Sequence, residues 1–211
     1  LYSQNYESET DASSWTTTIA STALTLETNG GTGYGNYIQF TANSAGGDRC
    51  AHTKFYTTGS DFYSDYTSYT MEFDAAVRMG NTASKPTHLV VASEGYSFAY
   101  NSAFSTSNST NKNYLFLLEN ASDATANSTT YYINGESTAY TIAANTWFHV
   151  KLDVNVSTKT IAYTLSGAVT ASGSYTITDD SNIKAQGIVA KGKITSDPYE
   201  AEDWSRNERP T

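Results

Sequence analysis

Residues 146–167, TWFHVKLDVNVSTKTIAYTLSG, constrain the fold more than any other stretch of the chain. Phe148, Val150, Leu152, Val154 and Val156 alternate with Trp147, His149, Lys151, Asp153 and Asn155, the period of two that a strand with one buried face requires. Ile161, Tyr163 and Leu165 then alternate with Thr160, Ala162 and Thr164 beyond a polar connection at Ser157, Thr158 and Lys159. The stretch reads as a β-hairpin. One face is core, and the other carries an aromatic ring, an imidazole, an ammonium and a carboxylate in line.

Composition extends this reading to the whole chain. With 211 residues the protein is long enough to bury a sizeable core, as one large β-sandwich or two small domains. Only 16% of residues are charged, there are three prolines, and Ser, Thr, Asn, Gly and Tyr abound, which suits strands joined by polar turns. A net charge of −9 argues against nucleic acid, whose phosphates it would repel. No apolar run approaches the roughly 20 residues of a membrane-inserted helix. The single cysteine, Cys50, excludes an internal disulfide and a cysteine-rich zinc site, and reads as a small buried residue. His52, His88 and His149 have no metal-ligand spacing. No signal-peptide pattern precedes Leu1, so the expectation is a segment processed or excised from something longer. The Tyr/Asn/Thr-rich, low-charge surface suits a protein that is secreted or on the bacterial cell surface.

Taken in order, residues 19–27 and 36–41 read as strands flanking the glycine-rich stretch 29–35. A phosphate cradle needs a helix directly after such a loop, and a strand follows here, which excludes a nucleotide site. Strands are expected at 49–56, at 69–79 and in the apolar runs 89–93 and 114–118, the last two as central strands covered on both sides or as strands whose open face is partly apolar. Between those runs lies a long polar loop, 94–113, carrying Tyr96 and Tyr100. Asn134-Gly135, between 130–133 and 137–142, is a type I′ hairpin signal. Residues 174–178 and 183–194 supply the last strands. Many short strands with frequent turns and no amphipathic helix specify an all-β, two-sheet antiparallel sandwich of the jelly-roll kind.

The order of features resembles the concanavalin-A-like, laminin-G-like jelly rolls that serve as accessory modules in secreted bacterial polysaccharide-degrading enzymes. The pieces that carry the resemblance are an acidic opening strand at 5–9 near Trp15, Gly47-Asp48-Arg49 leading into a strand, the middle strand from Tyr69 to Asp74, the Trp147-Phe148-His149-Val150 arm, and Gly187-Ile188-Val189. Residues 198–204, PYEAEDW, resemble the first strand of carbohydrate-binding modules of families 6 and 35. The expected organisation is therefore a carbohydrate-binding sandwich over 1–197. Residues 198–211 are either its closing strand and tail or the start of a following module.

Aromatic rings stack on the C–H face of a sugar and polar side chains bond its hydroxyls. The candidate ligand-binding residues are Trp147, His149 and Lys151 on the open face of the hairpin, Glu72, Asp74 and Arg78 on the strand at 69–79, and the loop tyrosines Tyr96 and Tyr100. Each has a plainer alternative: the rings as packing, His149 as a solvated strand residue, and Arg78 as an ion-pair partner of Glu72 or Asp74. Glu7, Glu9 and Asp11, or Asp179 and Asp180, are candidate oxygen ligands for one structural Ca2+, which jelly rolls of the resembling kind often hold.

Glu72 and Asp74 project from one face about 6 to 7 Å apart, within reach of a two-carboxylate hydrolase. The Glu-x-Asp-x-x-Glu run of the resembling family 16 hydrolases is absent, since Val77 stands where its last acid would be, and so are the runs of sandwich-fold alginate lyases. The expected function is a non-catalytic carbohydrate-binding module that binds a polysaccharide or oligosaccharide and tethers neighbouring modules of a multimodular enzyme to it. The alternatives are a glycoside hydrolase or polysaccharide lyase on the same fold, and a cell-surface adhesin or spacer.

Overall fold

A computed structural model describes residues 6–17, 22–31, 33–42, 47–55, 66–80, 86–96, 113–177, 183–194 and 202–207. Two seven-stranded antiparallel sheets face each other. In sheet order the first holds β1 (Thr16–Thr17), β4 (Gly47–Lys54), β13 (Ala185–Ile194), β6 (His88–Ser93), β7 (Tyr114–Glu119), β8 (Thr130–Ile133) and β9 (Ala139–Thr141). The second holds β12 (Ala171–Thr176), β11 (Thr160–Gly167), β10 (Phe148–Asn155), β5 (Ser68–Arg78), β14 (Glu202–Asn207), β3 (Tyr37–Ala42) and β2 (Thr22–Glu27). The described residues contain no α-helix, and the sandwich is the expected jelly-roll class.

Alternation in the hairpin has the expected consequence. Phe148, Val150, Leu152 and Val154 of β10 are buried, as are Ile161, Tyr163 and Leu165 of β11. They meet Phe73, Ala75 and Val77 of β5 and, from the other sheet, Leu89, Val91, Leu115, Phe116, Leu118 and Ile188 in one core. β6 and β7 sit inside the first sheet and are buried on both faces. Their outward residues Val90, Ala92, Tyr114 and Leu117 form a second apolar cluster with Val189 and Tyr96.

Several tyrosines act as ties between the sheets. Tyr69 of β5 donates its hydroxyl to the Ile183 carbonyl at 2.6 Å and accepts from the Ala185 N–H at 3.1 Å, fixing the start of β13. Tyr175 of β12 donates to the Leu115 carbonyl, and Tyr163 to Glu136 Oε2 at 3.2 Å. Burial makes the phenolate form unfavourable and pushes the pKa of Tyr175, Tyr163 and Tyr114 upward, with the carboxylates of Glu136 and Glu119 adding to the shift at Tyr163 and Tyr114 respectively.

Two local expectations are corrected. The acidic opening segment is a 3-10 turn, Tyr6–Ser8, rather than a strand, because the buried Tyr6 hydroxyl accepts the Trp15 indole N–H at 2.9 Å and anchors the segment in the core. Asn134 and Gly135 do take positive φ, 54° and 73°, and Glu136 N–H closes the turn on Ile133 at 2.9 Å. The strands beyond are not in two-residue register, since Tyr132 faces Ala139: Asn134 is buried and bonded through both its backbone N–H and its side chain to Leu117 of β7. Residues 202–207 pair with β5 and β3 inside this sandwich, as the closing-strand alternative for 198–211 has it.

Leu152→Ala is expected to cost about 2–5 kcal/mol in urea unfolding, whereas Ser174→Ala on the exposed edge strand should stay within about 0.5 kcal/mol. The raised tyrosine pKa values set an alkaline limit. Their contribution to stability is fully present below the ordinary phenol value of about 10 and is lost as pH rises through the higher folded values. The circular dichroism of the fold should therefore hold up to about pH 10 and be lost above it, together with the part of the phenolate absorbance that comes from the buried tyrosines.

Candidate functional site

The outward face of the second sheet is built from rows set by strand register. His149 of β10 stands opposite Asp74 of β5 on one side and Ser166 of β11 on the other. Lys151 stands between Glu72 and Thr164. Because inward positions of these strands are apolar, their outward positions bring imidazole, ammonium, carboxylate and hydroxyl groups onto one surface.

Asp74 is the exceptional member. Its side chain is 3% exposed although it faces outward, and its Oδ1 lies 2.9 Å from His149 Nδ1. Its Oδ2 is buried with no hydrogen-bond partner among the described residues. Through Oδ1 this carboxylate acts as an orienting group for the imidazole. It holds the imidazole by Nδ1, and with the side chain 37% exposed the ring keeps Nε2 for an outside partner. The neighbouring ion pairs are of another kind: Lys151 Nζ lies 4.0 Å from Glu72 and 3.5 Å from Asp153, with all three side chains at least a third exposed. Water screens such pairs to about 0–1 kcal/mol, and they form a solvated polar floor.

Trp147 closes one end of this face and is less open than its position in the hairpin suggests. Tyr34 stacks on it at 4.7 Å between centroids with 13° between planes, and Tyr37 meets it edge-on at 5.4 Å. Its indole N–H donates to the Gly30 carbonyl at 2.8 Å. A Cβ at Gly30 would stand 3.1 Å from the Trp147 ring and 3.2 Å from Tyr37. The glycine-rich loop therefore serves to lie close against an indole.

The other candidates are dispersed. Tyr96 is buried at 3% exposure in the outward apolar cluster of the first sheet, which corrects its reading as an open loop ring. Tyr100 lies outside the described residues, as do Asp179 and Asp180. The acids that could have paired with Arg78 along its own strand, Asp74 and Glu72, meet His149 and Lys151 of β10. Of the candidate calcium ligands Glu7, Glu9 and Asp11, two are engaged by nearby backbone. Glu7 accepts the Asn36 N–H at 2.9 Å, and Asp11 accepts the Ser13 N–H at 2.9 Å, bonding to Ser13 that holds its carboxyl below the usual range. Among the described residues no three His, Cys, Asp or Glu side chains are grouped to hold a metal ion.

Sequence reasoning missed a cleft on the opposite sheet. His88 of β6, Glu119 of β7 and Tyr132 of β8 stand in one register row beside a space of about 350 Å3, with Pro86, Ser122 and Glu136 among the walls. His88 Nε2 lies 3.1 Å from Glu119 Oε2, and both side chains are more than four-fifths covered. The signal was available: if two apolar runs pair antiparallel, the residue before the first meets the residue after the second.

No protein-family model matches the sequence, and no curated protein matches it significantly. Solved structures do match in shape. A sialidase aligns over 97% of this chain with a TM-score of 0.59 at 11% identity, the chain spanning only 18% of that protein's length. A carbohydrate esterase of Shiga toxin-encoding bacteriophage phi24B aligns over 100% of this chain and 98% of its own, with a TM-score of 0.52 at 13% identity. At such identities the likeness is one of fold, a two-sheet antiparallel β-sandwich.

Trp147→Phe keeps the stacking and removes the bond to Gly30; it should lower unfolding free energy by about 0.5–1.5 kcal/mol in denaturant titration and leave the His149 imidazole NMR signals in place.

Proposed function

We propose that this chain is a non-catalytic carbohydrate-binding domain that lays a glycan across the outward face of its second sheet, over the row of Asp74, His149 and Ser166. The observation that carries the reading is the Asp74–His149 pair: a carboxylate buried at an outward position, with one oxygen on the imidazole and the other without a described partner. Such a pair fixes the ring, which is what hydrogen bonding to a sugar hydroxyl asks of a binding site. Lys151, Glu72, Thr164 and Ser166 supply further donors and acceptors in the adjoining rows, and Trp147 with Tyr34 and Tyr37 supplies apolar area at the end. The sialidase and the carbohydrate esterase that share the sandwich are both named for sugar chemistry, in keeping with this reading. A weak site of this kind acts by avidity, raising the local concentration of linked modules on a polysaccharide outside the cell.

A second reading, sugar-directed hydrolysis, draws on the same row. An acid that orients an imidazole, with a serine hydroxyl across the next strand, is the set of groups from which an acyl-transfer centre is built.

Affinity electrophoresis against soluble polysaccharides, with released sugar and acyl groups assayed in the same samples, separates the two. Retardation without release is the expected result, with His149→Ala and Asp74→Asn each weakening it by about tenfold, or 1.4 kcal/mol. Release of product that Ser166→Ala abolishes would establish the hydrolytic reading instead. Retardation unchanged by both the His149 and Asp74 substitutions would remove the site from this face.

A further inference from the structure

The cleft beside His88, Glu119 and Tyr132 lies on the sheet opposite the Asp74–His149 row. We propose that it is a second binding site, taking the end of a neutral glycan and rejecting uronic acids and other anionic sugars.

Its location is unusual for this sheet. Further along β6 and β7 the outward positions are apolar and covered, from Val90 and Ala92 to Tyr114 and Leu117. At the ends of the same strands this surface turns polar and opens into the cleft. His88 and Glu119 are 14% and 19% exposed, so their pairing is largely out of water yet borders open space. A solvated surface ion pair would not need that shelter, and a core pair would not line a cavity.

The rim is held rigid by side chains that bond to backbone. Asn120, itself buried, accepts from the Thr87 N–H at 3.1 Å and donates to the Thr130 carbonyl at 2.9 Å, tying the lead into β6 and the start of β8 to the end of β7. Asn134 accepts from the Leu117 N–H at 2.9 Å, fixing the turn that carries Gly135 and Glu136. Glu136 in turn accepts the Tyr163 hydroxyl. Ordering the walls in advance removes that cost from binding, the property a site for a weak polar ligand requires.

The walls also define the ligand. Glu119 and Glu136 are acceptors, Ser122 a hydroxyl and Tyr132 a partly exposed ring, with Pro86 as further apolar surface. Two carboxylates against one imidazole make the cleft acidic whether or not His88 is protonated. Hydroxyl donors are attracted, while a carboxylate, sulfate or phosphate on the ligand is repelled. A volume of about 350 Å3 is at the small end of ligand sites, enough for the terminus of a chain and too little for an extended segment.

The test is 15N NMR titration of the whole chain with cellotriose, mannotriose, xylotriose and galactotriose, and with trigalacturonate as the acidic counterpart. The expected result is saturable shifts of amides at 119–122 and 132–136 with at least one neutral trisaccharide and none with trigalacturonate at equal concentration. Glu119→Gln should weaken the effect by about tenfold or more. Ser122→Trp, which fills the cleft from an exposed position, should abolish it with the thermal midpoint unchanged. No shift with any neutral probe, equal shifts with trigalacturonate, or shifts that persist in the folded Ser122→Trp variant would each overturn the proposal. Because amides near residues 72–74 and 149–151 report the other face separately, failure here and failure of the first site are distinguishable.

Discussion

Everything in this molecule depends on the burial of one face of β10. The strand lies between β5 and β11, and its inward side chains Phe148, Val150, Leu152 and Val154 reach the shared core with no exposed surface to speak of. Side chains on a strand alternate, so that burial dictates the direction of everything between them. A slip of one residue would send His149 and Lys151 into the core, and desolvating an imidazole and an ammonium there is far costlier than burying valine and leucine. Core packing therefore sets the register that brings Asp74, His149 and Ser166 into one row.

The two sheets differ in what their outer faces do. In the second sheet, β5, β10 and β11 have one greasy side and one polar side, the ordinary division of an antiparallel layer. In the first, β6 and β7 are apolar on both sides over most of their length and turn polar and open where His88 and Glu119 meet. Tyrosines join the layers by carrying an apolar ring through the core and a hydroxyl to a backbone group of the other sheet, as Tyr69 and Tyr175 do. That dual use accounts for part of the high tyrosine content.

Much of the fold was legible from alternation. The hairpin at 148–167, the strand around Phe73 and the doubly covered runs at 89–93 and 114–118 all follow from which positions are apolar. The site was less so. That Asp74 would meet His149 depends on β5 pairing with β10, a contact across 75 residues that no local pattern encodes. Trp147 is capped by a carbonyl 117 residues away, and a ring that reads as open in the hairpin is partly covered in space. Tyr96 stands in a polar stretch of sequence, yet the apolar outward face of β6 and β7 gives it a place to bury. Asn134-Gly135 kept its turn chemistry and lost its register, because the Asn side chain found a better partner in Leu117 than a two-residue hairpin offers.

The central claim is that the register of β5, β10 and β11 presents a glycan-binding row on the second sheet. The most direct measurement is the NMR response of the His149 imidazole in the intact chain as soluble polysaccharide fragments are added. Saturable shifts of its Cε1 and Cδ2 protons, accompanied by the amides of Asp74 and Ser166, are the result this account predicts. An imidazole that stays unmoved while the polysaccharide is demonstrably bound would contradict it.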